Sequence, residues 1–304
     1  MRRLSIKSAI IVSVWSIVTM FWLVYWISLA SAQVPMTGAG LGAPGGAAFN
    51  CSGDTDYAAW ATAVGSIGTT QGTATCNLIT SLKAHSLWTG TDRLWLYASE
   101  NATQASVDLK ARATHTVVPT MTFVASQGYT GDAATGYIDT GFKTGTYSQN
   151  SGSITAYLRN SRTVDQAWWA IGNDDASVIS GLDPLQGGVF DWAVNDSSAA
   201  VNQINNTQVR GCWTATRTGS SAIALYTNSN STPVKTDTYS SGTPPNLNFF
   251  VGALNLSGSA VAFSGDQIAI VHIGGGLTGA NAAQLQTDLN AYMTTLGTNV
   301  SGCT

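Results

Sequence analysis

Glutamate is almost absent from this chain of 304 residues, since Glu100 is its one example beside fifteen aspartates. Enzymes that hydrolyse glycosidic bonds commonly use two carboxyl groups, one as an acid and one as a nucleophile or base. A chain with one glutamate cannot supply a glutamate pair. Any chemistry of this kind would therefore have to come from aspartates.

Charge of either sign is also scarce. Charged residues make up 10% of the chain, where ~25% is usual. Lys and Arg form no cluster and the formal net charge is −3, which argues against nucleic acid, whose phosphates need concentrated positive charge. The polar surface must then consist mainly of Ser, Thr, Asn, Gln and Gly, a composition typical of a turn-rich extracellular β protein.

The common catalytic and metal-binding motifs are missing as well. The chain has no G-x-S-x-G, H-E-x-x-H or C-x-x-C, and its lone histidines (His85, His115 and His272) fit structural roles. Residues 274–279, GGGLTG, have the form G-x-G-x-x-G. A dinucleotide site would also need a following parallel strand and an acidic residue about 20 positions on. That position holds Asn299, so the motif predicts a strand-to-helix connection.

The first 32 residues read as an export signal. Arg2, Arg3 and Lys7 precede an apolar stretch of 21 residues, Ala9–Leu29, and the small residues A-S-A follow at 30–32. We favour cleavage after residue 32, although the length of the stretch also fits a retained membrane anchor. In both cases the remainder is secreted, periplasmic or at the cell surface, and contacts a membrane only through this segment.

The four cysteines are Cys51, Cys76, Cys212 and Cys303. An even number in an exported chain predicts two disulfides, which three connectivities could satisfy. We favour Cys51–Cys76 and Cys212–Cys303. The first would be local to the N-terminal part, and the second would tie the C-terminus to a strand.

The rest of the chain divides into three regions by composition and pattern. Residues 33–50 form a Gly/Ala-rich linker, and 51–118 form a small helical segment in which Asp54 or Asp56 caps the first helix. A second helix starts near Thr73. Residues 119–304 hold short strands followed by a helix from about Ala280 to Leu296, with Thr278 as its N-cap.

Short strands at roughly ten-residue spacing predict an all-β, two-sheet antiparallel sandwich. An apolar strand at Arg93–Ala98 precedes them. The others are predicted at Met121–Val124, Gly136–Thr140, Ser153–Leu158, Ala167–Ile171, Val189–Val194, Gly211–Thr216, Ala222–Tyr226, Val234–Tyr239, Phe249–Leu254, Ala260–Phe263 and Gln267–Ile273.

Two parts of the chain carry a family resemblance. One comprises residues 55–65 (TDYAAWATAVG), 78–99 and 128–142 (GYTGDAATGYIDTGF), and the other is 263–297. They resemble concanavalin A-like, laminin G-like jelly-roll domains of phage and prophage tail-associated proteins and of bacterial surface proteins. This resemblance implies a helical segment before a two-sheet sandwich and a C-terminal helix after the last strand. It rests on hydrophobic pattern, so it implies the fold and not the function.

The E-x-D-x-x-E motif of the laminarinase-type relatives is absent. The export signal and the cysteines are features that set this chain apart from a phage structural protein assembled in the cytoplasm. They suit a protein of the cell surface or periplasm better.

Aromatic residues carry the case for ligand binding. Trp168 and Trp169 are adjacent on a predicted strand, so their side chains should point to opposite faces. Flat rings can stack on the C–H face of a sugar. The predicted carbohydrate-binding residues are Trp168, Trp169, Asp191, Trp192, Trp213 and Tyr226.

The aspartates suggest two alternatives to sugar binding by aromatic rings: a catalytic function and a calcium site. Asp174, Asp175, Asp183 and Asp191 are candidates for a hydrolase or lyase, but we assign no catalytic residue. Asn173 with Asp174 and Asp175 supplies hard oxygen ligands in one loop. Too little of a Ca²⁺ shell is visible to assign a metal, and we assign no other cofactor.

The sequence thus favours a non-catalytic, lectin-like module for a polysaccharide or glycan surface, acting in adhesion. An aspartate-dependent polysaccharide hydrolase or lyase and a phage tail-like receptor-binding subunit are the alternatives. Two aspartates converging with perturbed pKa values would favour the enzyme. A large exposed apolar patch would favour the tail-like subunit.

Overall fold

The computed structural model describes residues 51, 53–143, 147–160, 169–197 and 201–303. The predicted export segment at 1–32 and the linker at 33–50 lie outside these residues. In the described part of the chain, no helix is both long and apolar enough to cross a bilayer.

Four helices and seventeen strands occur in these described ranges. The helices are α1 (Thr55–Val64), α2 (Thr69–Ala84), α3 (Ala102–Ala105) and α4 (Gly279–Thr295). The strands are β1 (Thr91–Leu96), β2 (Thr116–Val117), β3 (Thr122–Val124), β4 (Gly128–Thr130), β5 (Ile138–Lys143), β6 (Gly152–Leu158), β7 (Ile171–Asp174), β8 (Ile179–Gln186), β9 (Val189–Asp196), β10 (Asn202–Asn205), β11 (Gly211–Gly219), β12 (Ala222–Thr227), β13 (Lys235–Asp237), β14 (Asn248–Val251), β15 (Leu254–Leu256), β16 (Ser259–Val261) and β17 (Gln267–Gly274).

Side-chain caps start the first and last helices. The Asp54 carboxylate accepts hydrogen bonds from the backbone N–H groups of Asp56 (2.9 Å) and Tyr57 (3.0 Å), which satisfies donors that a helix leaves unpaired at its N-terminus. Thr278 Oγ1 caps α4 in the same way by accepting from Asn281 N (3.3 Å). Both predicted N-caps are confirmed.

The strands form two sheets. The eight-stranded sheet has the order β13-β12-β11-β6-β17-β4-β3, with β1 paired to β17. The nine-stranded sheet has the order β10-β9-β8-β7-β14-β5-β2, with the hairpin β15–β16 attached to β7. Pairing is antiparallel, apart from β15, which runs parallel to β7. The chain is an all-β sandwich, as predicted.

Two large apolar layers follow from this arrangement. The core lies between the sheets and includes Trp192, Trp213 and Phe249. Helices α1, α2 and α4 pack on the other side of the eight-stranded sheet, where residues such as Trp60 and Leu289 meet it. None of these three helices packs on the outer face of the nine-stranded sheet, and we call that surface the open face.

Several strands depart from the predicted boundaries, and β2, β4, β8 and β10 have no predicted counterpart. The strand expected at Ala167–Ile171 begins at Ile171, so Trp169 precedes it, and residues 167 and 168 lie outside the described ranges. Strand β8 was not predicted, because Gly181 and Pro184 interrupt its pattern. Strand β1, at the site of the predicted Arg93–Ala98 run, pairs with β17. A domain division at residue 118 stays a prediction.

Both predicted disulfides are present. The Cα atoms are 5.9 Å apart in Cys51–Cys76 and 5.0 Å apart in Cys212–Cys303. The first fixes residue 51 to α2, and the second fixes the C-terminal residues to β11. Disulfides form and persist in oxidising compartments, in agreement with a chain that folds outside the cytosol.

A buried guanidinium joins the two sheets. Arg217 of β11 is fully buried, and its Nε donates to the carbonyl oxygen of Val194 on β9 (2.6 Å). One Nη donates to the Asp196 carboxylate, also on β9, and the other to the Ser220 and Tyr239 carbonyls, each at 3.0 Å. The planar guanidinium has five N–H donors in a fixed arrangement, so one arginine can donate to all of these oxygens at once.

Removing the guanidinium should therefore destabilise the sandwich strongly. We expect Arg217→Met to lower the free energy of unfolding by about 3–5 kcal/mol, since it leaves the buried Asp196 carboxylate without its cation. Urea denaturation measures the change. The exposed Lys235→Met is the control, and a loss below ~1 kcal/mol for Arg217→Met would contradict the role of the ion pair.

Candidate functional site

Three polar side chains line up across the open face. Leu182 and Trp192 belong to the core, and side chains alternate along a strand, so Asp183 and Asp191 point to the open face. The register places Asp183 of β8 opposite Asp191 of β9, and Asp191 opposite Gln203 of β10. Directly opposed residues have Cβ atoms about 4.5–5.5 Å apart. We call Asp183, Asp191 and Gln203 the acidic row.

Burial increases along the acidic row from the edge of the sheet inwards. Gln203 is exposed, Asp191 is 3% exposed and Asp183 is fully buried. Burial raises the pKa of Asp191, and the hydrogen bond from the Gln203 amide partly opposes the shift. Two opposed carboxylates repel when both are ionised, and for Asp191 burial also disfavours the charged form.

An indole ring lies on the same face, seated on two glycines. Gly172 and Gly181 are opposite one another on β7 and β8, and a Cβ at either position would come within 2.9 or 2.7 Å of the Trp169 ring. Their lack of side chains lets the ring lie against the sheet. Trp169 is 6% exposed and packs with a small apolar cluster that includes Leu254.

A surface cleft adjoins Trp169 on this side of the molecule. It encloses about 460 Å³ and is lined by Ala133, Val261, Ala262 and Phe263. The Trp169 backbone N–H donates to the Ala262 carbonyl at 3.3 Å, which joins the cleft to the indole. The cleft is therefore apolar and has aromatic walls.

Aromatic rings continue behind the cleft. The half-buried ring of Phe263 lies 6.3 Å from that of Tyr137, and Tyr137 lies 4.6 Å from Phe250, measured between centroids. These rings are tilted to one another, and Tyr137 and Phe263 are the half-buried members of the group, whereas Phe250 and Trp169 are buried.

The structure corrects two of the sequence-predicted binding residues. Trp192 is fully buried between the sheets, and Trp213 packs on Phe190 at 4.5 Å while its Nε1 donates to the Val209 carbonyl at 2.9 Å. The alternation of side chains along a strand predicts that neighbouring residues point to opposite faces of the sheet. It does not predict which of the two faces is buried in the core. Neither ring is available to stack on a ligand.

The other predicted residues are distributed as follows. Trp169 and Asp191 share the open face, Tyr226 lies on the eight-stranded sheet under α4, and Trp168 is outside the described residues. Pattern alone missed Gln203 and Phe263, because their roles depend on strand register and on the β15–β16 hairpin.

The aspartates after β7 hold a turn. Asp174 accepts from Ala176 N at 2.6 Å, and Asp175 accepts from Ser177 N and Val178 N at 2.9 and 2.8 Å. Within the described ranges, no group of three His, Cys, Asp or Glu side chains could hold a metal ion. These contacts account for both carboxylates as turn-forming groups.

The glycines of the GGGLTG motif also have a packing explanation. A Cβ on Gly274 would lie 2.3 Å from the Gly90 carbonyl oxygen, and one on Gly276 would lie 2.2 Å from that of Arg217. The motif thus allows close backbone approach where β17 leads into α4.

No family model matches this chain, and no curated protein does either. Among solved structures, a Trypanosoma rangeli sialidase mutant displaying trans-sialidase activity is 11% identical with a TM-score of 0.49, over 70% of this chain and 38% of the sialidase. The chain therefore spans well under half the length of that protein.

Two further structures are similar at the same level. Domain 4 of AbnA, a GH43 extracellular arabinanase from Geobacillus stearothermophilus in complex with arabinotriose, is 15% identical over 64% of this chain and 99% of that domain, with a TM-score of 0.41. The botulinum neurotoxin serotype D binding domain is 10% identical over 65% and 51%, with a TM-score of 0.43. At these values the likenesses carry no argument about function.

If the Asp191 carboxylate binds a ligand, we expect it to lower the free energy of unfolding of the protein without ligand. Its raised pKa means that stability is lost as the pH rises above the ordinary aspartate value of 3.8. We expect Asp191→Asn to be more stable than the wild type at pH 7, because the amide carries no charge that burial would disfavour. The difference should shrink as the pH falls towards the ordinary aspartate value of 3.8 and the wild-type carboxyl takes up its proton.

Thermal and urea unfolding across this pH range measure the effect. Asp132→Asn is the matched control with the opposite sign, because hydrogen bonds from three backbone N–H groups and from Thr135 lower the pKa of Asp132. An Asp191→Asn variant less stable than the wild type at pH 7 would show that the carboxylate is structural.

Proposed function

We propose that this protein is an exported, non-catalytic carbohydrate-binding module of concanavalin A-like type that acts in adhesion at a glycan surface. The proposal is carried by one observation: the acidic row lies in register on the open face, beside the ring of Trp169. The disulfides support a position outside the cytosol.

The chemistry of the open face suits a sugar. Carboxylate and amide oxygens in a row can accept hydrogen bonds from neighbouring hydroxyl groups, and charge-assisted bonds of this kind are the stronger ones. The half-buried ring of Phe263 offers apolar surface for the C–H face of a pyranose or furanose, beside the buried ring of Trp169. Because the cleft is a surface feature, much of the ligand stays hydrated, so a modest affinity per site is expected.

A glycan array with the full-length chain tests this function. We expect binding to a subset of polysaccharide fragments, and a loss of about two- to tenfold in affinity for Phe263→Ala, the range that an aromatic contact contributes. Tyr57→Ala, which removes a half-buried ring on α1, is the control.

Circular dichroism would confirm that both variants fold. The assignment of the open face fails if the wild type binds no glycan. It also fails if Phe263→Ala binds glycan as tightly as the wild type while Tyr57→Ala binds it more weakly.

The same acidic row favours a second function, aspartate-dependent glycoside hydrolysis. Retaining enzymes hold their two carboxyl groups about 5–5.5 Å apart, a spacing that directly opposed strand residues can reach. Asp191, with its raised pKa, would protonate the glycosidic oxygen while Asp183 attacks the anomeric carbon, a role that requires the fully buried Asp183 to become accessible when substrate binds. Water would then release the sugar from Asp183, with Asp191 taking the proton.

A polysaccharide depolymerisation assay separates the two functions. Hydrolysis predicts reducing-end release by the wild type, abolished in Asp183→Asn and in Asp191→Asn but retained in Asp139→Asn, which changes an aspartate of the same sheet outside the row. Binding alone predicts no release by any of the four proteins. Release that survives both row variants would contradict the enzymatic role of the pair.

A tail-like, protein-binding subunit has less support. In the described part of the chain the exposed large hydrophobic residues are Val234 (47%) and Leu256 (37%). Two separate side chains do not form the extended apolar patch that such a partner surface would need.

A further inference from the structure

We infer that a groove on the eight-stranded sheet is a second carbohydrate subsite, distinct from the open face. The groove lies where α4 begins and encloses about 470 Å³. The class of ligand that we infer for this groove rests on the proposed function, but the geometry of the groove does not.

The floor of the groove is made by small side chains of β12. Ile223 and Leu225 point into the core, so Ala222 and Ala224 point to the other side of this sheet. The register sets Ala224 between Thr216 of β11 and Thr236 of β13. Alanines flanked by threonines leave a depression with a short apolar floor and hydroxyl-bearing walls.

The start of α4 closes one end of the groove. Leu277 and Thr278 line it, and Gly279 follows as the first residue of the helix. A Cβ on Gly279 would lie 2.2 Å from the Ser231 carbonyl oxygen and 3.1 Å from the ring of Tyr226. This glycine therefore allows α4 to approach β12 closely, with Tyr226 at the end of the groove.

Hydroxyl groups dominate the walls. Thr218, Ser221, Thr236 and Thr238 are exposed and line the groove. Each hydroxyl both donates and accepts hydrogen bonds, which matches the hydroxyl groups of a sugar.

The charge of the groove argues against small anions and Ca²⁺ as its ligands. Asp237 is the one ionisable carboxylate among its lining residues, and that lining includes no Lys, Arg or His. Phosphate or sulfate would meet no cation there, and one carboxylate is too few for a Ca²⁺ shell. A neutral polyhydroxylated ligand, an oligosaccharide, is the class that this lining accommodates.

Two subsites on opposite sides of the sandwich have a mechanical consequence. Packed sheets are about 10 Å apart, and the helices add further thickness, so one short oligosaccharide cannot fill both. The module would instead bridge two glycan strands, and linked sites of this kind raise avidity without new contacts.

Isothermal titration of the full-length chain tests the inference, with maltohexaose, cellohexaose, laminarihexaose, chitohexaose and arabinohexaose as probes. For a hexaose that binds, we expect two sites per chain. The double variant Thr236→Val/Thr238→Val should weaken one site about tenfold, the effect of losing two hydrogen bonds, and Ala224→Trp should fill the groove and remove it. The control is Thr287→Val, on the exposed surface of α4.

Each outcome decides between the two sites. Weakening of one site in Thr236→Val/Thr238→Val and its loss in Ala224→Trp, with the other site weakened in Phe263→Ala, supports the inference. One site per chain that neither groove variant changes overturns it and leaves the open-face proposal standing. Binding that the groove variants abolish and Phe263→Ala leaves intact places the function in the groove alone. No binding of any hexaose overturns both.

Discussion

The buried ion pair between Arg217 and Asp196 sets the geometry of the nine-stranded sheet. Arg217 belongs to one sheet, and its partners Val194 and Asp196 belong to β9 of the other. Because an unpaired buried charge costs several kcal/mol, β9 has to keep its position relative to β11. The same strand carries Asp191, so the acidic row is held in place by contacts on the opposite side of the sheet.

The two sheets differ in what packs on their outer faces. Helices α1, α2 and α4 cover one of them with large apolar residues, and both disulfides reinforce that side. The other sheet instead carries carboxyl groups, and its Trp169 ring lies over paired glycines. Buried carboxylates and missing side chains do not stabilise a fold. Features that cost stability are expected at functional sites, and on the open face Asp191 and the glycines beneath Trp169 are features of this kind.

Local signals in the sequence predicted local structure well. Asp54 and Thr278 start helices because their side chains cap backbone N–H groups, and the cysteine pairing followed from chain proximity and strand position. Strand β8 was missed because Gly181 and Pro184 break the apolar alternation. The pairing of Asp183 with Asp191 depends on β8, and the burial of Trp192 depends on which face meets the other sheet. Both are long-range properties that no local pattern contains.

A crystal structure of the full-length chain with a bound hexaose tests the central claim most directly. The account predicts density for sugar on the open face, with ring C–H groups against Phe263 and a hydroxyl group donating to Asp191. Sugar bound only at sites remote from the nine-stranded sheet, with the acidic row untouched, would contradict it.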